Sequence, residues 1–220
     1  MRKVVTHDGS ITFHSNEYDE TYHSVSGAVE EAYKKFAEPA LEFVKGKEEV
    51  SILDVGFGLG YNSAAVMDKI LEESLWCKIY IIGLEKDKKI LDKIKELKPM
   101  IKTYHIIQDL VERGKVNDGY EYDREGVKIK LLVADALQAV KTLGTKFDII
   151  LHDPFSPKKN PELWTESFFK ELRKHIKDNG MLTTYSCAGE IRRNLKKAGF
   201  EVSDGPRVGR RAPSTIARPK

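Results

Sequence analysis

Apolar and polar positions along the chain follow two alternating periods. From Val50 onward the short apolar runs VSILDV, KIYIIGLE, VKIKLLVAD, FDIILHD and GMLTTYS have the length and near-continuous hydrophobicity of strands buried on both faces. Helical spacing fills the intervals near residues 62–74, 87–97, 136–143 and 161–178. This alternation predicts a mostly parallel sheet with crossover helices. In the last of these helices Asn160 is a candidate cap, Pro161 suits the first helical position and Glu162 complements the dipole. Residues 199–202 and 214–217 predict a closing antiparallel pair, while the segment from Tyr104 to Gly126 shows no clear period. Ahead of the sheet, VVTHDGSITF predicts a hairpin with a tight I′ turn at Asp8-Gly9. Val29, Ala32, Tyr33, Phe36, Ala40 and Phe43 then recur at helical spacing, interrupted by Pro39. Residues 1–45 are therefore expected to form an extension of hairpin plus helix, packed on a main domain of residues 46–220.

Composition narrows the class. At 220 residues the chain can bury one sizeable core, with no room for a second domain of full size. Apolar residues at 40% and charged residues at 32% suit a soluble globular protein. There is no apolar run long enough to span a bilayer, and MRKVVTHDGS lacks the apolar middle of a signal peptide, so no membrane partner and a cytoplasmic location are expected. Cys77 and Cys187 have neither CxxC nor Cys/His ligand spacing, so neither a disulfide framework nor a structural metal is expected. The net charge of +3 is unevenly placed: residues 191–220 carry +7, leaving −4 for residues 1–190. Such a basic end either attracts a phosphate-bearing partner or is simply solvated.

The candidate chemistry lies where strands end. DVGFGLGYN, Asp54 to Asn62, follows a strand and opens a helix, and Gly56, Gly58 and Gly60 let the backbone approach a ligand. A dinucleotide fingerprint would need a third glycine where Tyr61 stands. An acid two residues before G-x-G-x-G resembles instead the first motif of class I S-adenosylmethionine-dependent methyltransferases. Glu85 and Asp135 end the next two strands on the same sheet edge, where one can accept ribose hydroxyls and the other an adenine amino group; either can instead cap the following helix. Asp153 ends the fourth strand in HDPFSPKKNPELW. An alkylamine with a pKa of about 10.4 is mostly ammonium near neutral pH, so a carboxylate there can hold it and take its proton. Phe155 can wall the target and Pro154 stiffen the turn. His152 is either a second base or packing, Trp164 shares core spacing with Phe168 and Leu172, and Lys158 and Lys159 are either solvated or meet phosphate.

These motifs together resemble the methyltransferase domain of the MnmC family of tRNA-modification enzymes. SILDVGFGLGYN is similar to ExGFGTGLN of that family, GLEK to SFEK, VAD to FGD, DETYHSVSGAVEEA to GETYHSxxGAxxES, and HDPFSPKKNPELW to LDGFAPxKNPxMW. The resemblance runs from about Asp8 to Gly209. It implies a Rossmann-like class I α/β fold with a mostly parallel seven-stranded sheet, and methyl transfer from S-adenosyl-L-methionine to 5-aminomethyl-(2-thio)uridine at the tRNA wobble position. It also implies that Asp54, Gly56, Gly58, Gly60, Asn62, Glu85 and Asp135 hold the cofactor and that Asp153 meets the amine. Tyr22, His152, Phe155, Lys158, Lys159, Trp164, Arg192, Arg193, Arg210 and Arg211 are candidates for the tRNA side. Nothing corresponds to the family's flavin domain, so no FAD is expected, and upstream enzymes would have to supply the aminomethyl group. Pro154 stands where the family has glycine, which leaves a base exocyclic amine or a small-molecule amine open as targets, beside a cofactor-binding module without catalysis.

Overall fold

Strand periodicity sets the layering of the molecule. The computed structural model describes residues 1–73, 76–209 and 211–220. The chain begins with β1 (Arg2–Val5), β2 (Ile11–Ser15) and β3 (Glu20–Thr21), a small antiparallel sheet. Val5 pairs with Ile11, so five residues, not the two of a I′ turn, connect the first hairpin. The Asp8 carboxylate organises that loop by accepting from the Ser10 N–H at 3.0 Å and the Ser10 hydroxyl at 2.6 Å. Helix α1 (Ala28–Glu31) continues through a π turn, Ala32–Ala37, into α2 (Glu38–Val44). Pro39 does not break this segment. The carbonyl of Lys35, which loses its usual helical donor because Pro39 has no N–H, accepts instead from the Thr183 hydroxyl at 2.7 Å.

The main sheet follows, with β4 (Glu49–Val55), α3 (Tyr61–Glu73), β5 (Lys78–Glu85), α4 (Lys88–Ile94), α5 (Tyr104–Arg113), β6 (Lys115–Val116), β7 (Gly119–Arg124), β8 (Val127–Val133), α6 (Ala136–Ala139), β9 (Phe147–His152), α7 (Glu166–Lys174), β10 (Ile176–Thr184), α8 (Gly189–Lys197), β11 (Phe200–Asp204) and β12 (Thr215–Pro219). Their order across the sheet is β11-β12-β10-β9-β4-β5-β8-β7-β6. The run β10-β9-β4-β5-β8 is parallel, and the outer strands are antiparallel. The α/β class is as expected, and β6 and β7 extend the expected seven strands to nine among the described residues. The two-residue turn with positive φ at both positions occurs between β7 and β8, at Glu125 (53°) and Gly126 (79°).

Alternation along the central strands sends Ile52, Ile81, Ile149 and Leu151 to a core shared with α3, α5 and the α1–α2 segment. Leu53, Val55, Leu84 and Ile150 face a second core with Phe168, Phe169, Leu172 and Leu195 of α7 and α8. The result is a helix–sheet–helix sandwich. Chain order reverses at β4 and β9, the neighbours from which the fold winds in both directions, and their C-terminal ends open the crevice where such sheets bind ligands. The expected helix over residues 161–178 is divided: Pro161–Trp164 is a 3-10 turn, and α7 starts afresh with the Thr165 hydroxyl accepting from the Phe168 N–H at 3.2 Å. Asn160 makes no side-chain cap; its amide turns to the Glu162 carboxylate.

Candidate active site

The glycine-rich turn after β4 is held by hydrogen bonds from two sides. The N–H groups of Gly56 and Phe57 donate to the Leu84 carbonyl at 3.1 and 3.0 Å, and the Tyr104 hydroxyl donates to the Leu59 carbonyl at 2.9 Å. Gly56 has φ 85°, and a Cβ there would lie 2.7 Å from the Asp153 carbonyl oxygen. Glycine at this position therefore serves both the left-handed backbone and the close approach of the β4 and β9 loops.

Two cavities meet at Asp153. The first, of about 280 Å³, runs past Gly56, Gly58, Glu85, Asp87 and Asp135 and is roofed by Tyr18, Tyr22 and Phe155. The second, of about 200 Å³, is lined by Glu20, Ser26, Glu31, Lys35, Tyr185, Val208 and Gly209 among others. Tyr22, His23, Asp153, Pro154 and Phe155 belong to both walls. A ligand in either cavity thus reaches the same carboxylate.

In the first cavity the Glu85 carboxylate accepts from the Gly58 N–H at 2.8 Å and the Asp87 N–H at 2.7 Å. Burial pushes its pKa up to about 7 against those hydrogen bonds. Asp135 is half-buried, accepts from the Leu137 N–H at 2.9 Å as the cap of α6, and lies 3.5 Å from Lys86. The helix-cap and ligand-edge readings of Asp135 are therefore compatible. An acceptor for a diol, an acceptor for an amino group and a glycine backbone placed along one trough fit an adenosine-bearing cofactor.

At the junction Asp153 is half-buried, and its carboxylate accepts from the Asn62 amide at 2.7 Å. Its pKa is pushed well above the ordinary carboxylate range, first by burial and then by the negative charge of Glu31, with Asn62 and Lys35 opposing. The loop after it is clamped. The Trp164 indole N–H donates to the Phe155 carbonyl at 2.8 Å, the Tyr185 hydroxyl to the Pro154 carbonyl at 3.2 Å, and the Ser156 hydroxyl to Glu20 at 2.7 Å. The Phe155 ring stacks on Tyr18 at 4.3 Å and meets Tyr22 edge-on at 4.9 Å, while the Tyr22 hydroxyl donates to Asp87 at 2.8 Å.

Several expected site residues stand elsewhere. Asp54 is completely buried beneath the glycine turn, where it accepts from the Ser63 hydroxyl at 2.6 Å; burial pushes its pKa up to about 7. It supports the turn and does not line the cavity. His152 shares the face of Ile150, so strand periodicity carries it into the second core. There its Nε2–H donates to the Leu163 carbonyl at 2.9 Å, and burial pushes its pKa down to about 3. Trp164 packs edge-on against it at 4.6 Å and is likewise core. Arg192 is spent on Asp204, Thr215 and the Ser214 carbonyl, joining α8 to the last strands. Lys158, Lys159, Arg193 and Arg211 are exposed, with Lys159 3.3 Å from Asp19; Arg210 lies outside the described residues.

Tyr18, Glu31 and Lys35 were not expected at the site. Only the i, i+4 spacing of Glu31 and Lys35 was visible in the sequence, and that pattern ordinarily describes a solvated helix face.

A trough for an adenosine-bearing cofactor at the switch point of a doubly wound sheet, beside an acid that faces a second cavity, defines a class I S-adenosylmethionine-dependent methyltransferase. The comparisons carry the assignment further. A family model described as S-adenosyl-L-methionine-dependent methyltransferase matches residues 96–220, and one described as protein-L-isoaspartate(D-aspartate) O-methyltransferase matches residues 7–124. The chain belongs to the S-adenosyl-L-methionine-dependent methyltransferases, as an MnmC-like methyltransferase domain. The crystal structure of MnmC2 from Aquifex aeolicus superposes with a TM-score of 0.86 at 36% identity, over 99% of this chain and 70% of that one. An uncharacterized protein of Methanocaldococcus jannaschii is 33% identical over 97% of this chain and 58% of its own length. The tRNA 5-methylaminomethyl-2-thiouridine biosynthesis bifunctional protein MnmC of Ralstonia nicotianae is 29% identical over 92% of this chain. The chain spans about a third of that protein, 32% of its length.

Proposed function

We propose that the chain methylates the primary amine of 5-aminomethyl-(2-thio)uridine at the tRNA wobble position, giving the 5-methylaminomethyl form. The observation that carries this reading is the position of Asp153 in the wall shared by the two cavities. The first cavity would hold S-adenosylmethionine, with Glu85 available to accept from the ribose, Asp135 from the adenine amino group, and the glycine turn leaving room for the methionine end. When bound, that cofactor supplies a methyl group on a sulfonium, which leaves as a neutral thioether once a nitrogen lone pair has taken the methyl. The chain's own task is to supply the lone pair. Asp153 accepts one proton from the ammonium, and its raised pKa makes the ionised carboxylate a stronger base for a group that holds its proton tightly. Asn62 holds the carboxylate in place at 2.7 Å. Clamping of the Phe155 loop keeps both cavity walls fixed, so the reacting groups meet in one geometry.

The polyanion has basic residues to meet on both sides of the second cavity. Lys158 and Lys159 follow Phe155, and the exposed Arg207 and Arg211 flank the lining residues Val208 and Gly209. The tRNA would arrive with its amine already made by upstream enzymes. The test is incubation with labelled S-adenosylmethionine and tRNA carrying 5-aminomethyluridine, followed by nucleoside identification. Label in 5-methylaminomethyluridine supports the reading. Label in another nucleoside, or only in free polyamine, overturns it.

A further inference from the structure

The floor of the second cavity carries an ion pair that the reaction as described does not use. Lys35 is 3% exposed and its ammonium is paired with the Glu31 carboxylate. The other oxygen of Glu31 accepts from the Ser24 N–H at 3.2 Å. Both side chains line the cavity, and both act electrostatically on Asp153, Glu31 more strongly than Lys35.

The charges around Asp153 can be assigned one element at a time. Segment α1 and its π turn contribute Glu31 and Lys35, β4 contributes the buried Asp54, and α3 the neutral Asn62. After β3 come Tyr22 and His23, the latter neutral because burial pushes its pKa down to about 4. Glu20 is occupied by Ser156, and Tyr185 by the Pro154 carbonyl. Lys35 thus balances Glu31, and among the described residues Asp153, like the buried Asp54 beneath it, has no cation of its own. An aliphatic ammonium supplies that cation. An exocyclic base amine is neutral and does not, so it would leave Glu31 and Asp153, the two carboxylates that line the cavity, with the single ammonium of Lys35.

We propose that Glu31, held in place by Lys35, is a specificity-determining residue that selects a cationic aliphatic amine over an uncharged group in the second cavity. This rests on the reading of that cavity as the amine site. Glu31→Gln keeps an acceptor for the Ser24 N–H and removes the charge, and Glu31→Gln with Lys35→Met removes the orphaned lysine as well.

The experiment compares both variants with the wild type on tRNA carrying 5-aminomethyluridine and on the uncharged isostere, 5-hydroxymethyluridine. Dissociation constants are measured without cofactor, then KM, and finally the pH profile of kcat/KM. The wild type is expected to bind the aminomethyl tRNA more tightly, and Glu31→Gln to weaken that binding about tenfold while leaving the hydroxymethyl tRNA and S-adenosylmethionine affinities unchanged. Because Glu31 raises the Asp153 pKa, its loss is expected to move the acid limb of the profile to lower pH. The double variant should shift less, since the cation that lowers the same pKa is gone too. Equal weakening for both tRNAs, or an unmoved acid limb, would reduce Glu31 to a structural residue and overturn the proposal. Failure of the wild type itself to methylate aminomethyl tRNA would instead overturn the functional reading, so the two failures are distinguishable.

Discussion

Replacing Asp153 with asparagine separates catalysis from stability in one substitution. Asparagine has the same shape and keeps an oxygen that can accept from the Asn62 amide, now 2.7 Å from the carboxylate. What it loses is the ability to take a proton. A positioned general base contributes about 10²- to 10⁴-fold to rate, a barrier difference of roughly 3–5 kcal/mol, so kcat should fall by that factor. Affinity for S-adenosylmethionine, measured by calorimetry, should stay within about twofold, because on the proposed reading the ribose and adenine ends would lie with Glu85 and Asp135. Stability should move the other way. Burial and Glu31 raise the native pKa of Asp153 above its unfolded value near 3.8, so between those values the native state holds more protons than the unfolded chain. Wild-type stability is therefore eroded as pH rises through that window and stays eroded above it. The asparagine variant escapes the loss. Its advantage should be absent below about pH 4 and grow as pH rises, read as a Tm difference between variant and wild type that widens with pH. Retention of kcat within tenfold, or a variant less stable than wild type at pH 8, would refute the assignment of Asp153 as a desolvated base.

Other groups give independent tests. Burial pushes the Glu85 pKa up to about 7, so if its ionised form is the proposed acceptor for the ribose, the dissociation constant for S-adenosylmethionine should tighten as pH rises from 6 to 8; Glu85→Gln should weaken binding roughly tenfold and flatten that dependence, as calorimetry at the two pH values would report. At the other end of β9, Asp148 is buried against Lys47, Lys177 and Ser51 and its pKa is held down to about 2. The stability it contributes should be present above about pH 4 and be lost as pH falls toward 2, and Asp148→Asn should cost about 2–3 kcal/mol in urea unfolding with cofactor affinity unchanged. Replacing Lys158 and Arg211 with alanine should weaken tRNA binding and reduce the slope of log affinity against log salt by about 1 for each lost phosphate contact; an unchanged slope would remove these residues from the interface.

The central strands were legible because each is buried on both faces, which leaves continuous apolar runs with sharp ends. Lys78–Glu85 matches its run at both ends, and Glu49–Val55 differs from its run by one residue. The closing pair β11 and β12 also forms where expected, but the strands beyond β8 were not legible. β7 reads GYEYDR, with charged residues turned to solvent, and it forms by pairing with β8 along a ladder from Gly119 to Arg124. Among the candidate site residues, Glu85, Asp135 and Asp153 line the first cavity because a strand end fixes where a side chain goes, and Gly56 and Gly58 because they form the turn after β4. For His152 and Trp164 the structure takes the packing alternative that the sequence left open. Adjacency to Asp153 in sequence places His152 on the opposite face of β9, and the indole of Trp164 belongs beneath the loop, where its N–H supports the Phe155 carbonyl.

The N-terminal segment was the least legible part of the site, and the backbone explains why. A regular helix through residues 28–44 would leave the Lys35 carbonyl without a donor at Pro39, a reason to end the helix there. The fold instead widens the helix into a π turn at Ala32–Ala37 and brings the carbonyl to the Thr183 hydroxyl on β10. That contact ties the segment to the strand beside β9, while Lys35 and Glu31 line the cavity shared with Asp153. The Tyr61 hydroxyl, 2.8 Å from the Ile11 carbonyl, ties the hairpin to α3 in the same way. Each contact joins residues far apart in the chain, so no local period could announce it. The extension is thus built into the cavity wall, and a chain lacking residues 1–45 would lose Tyr18, Tyr22, Glu31 and Lys35 together, leaving the sheet-end acids with only one side of a substrate site.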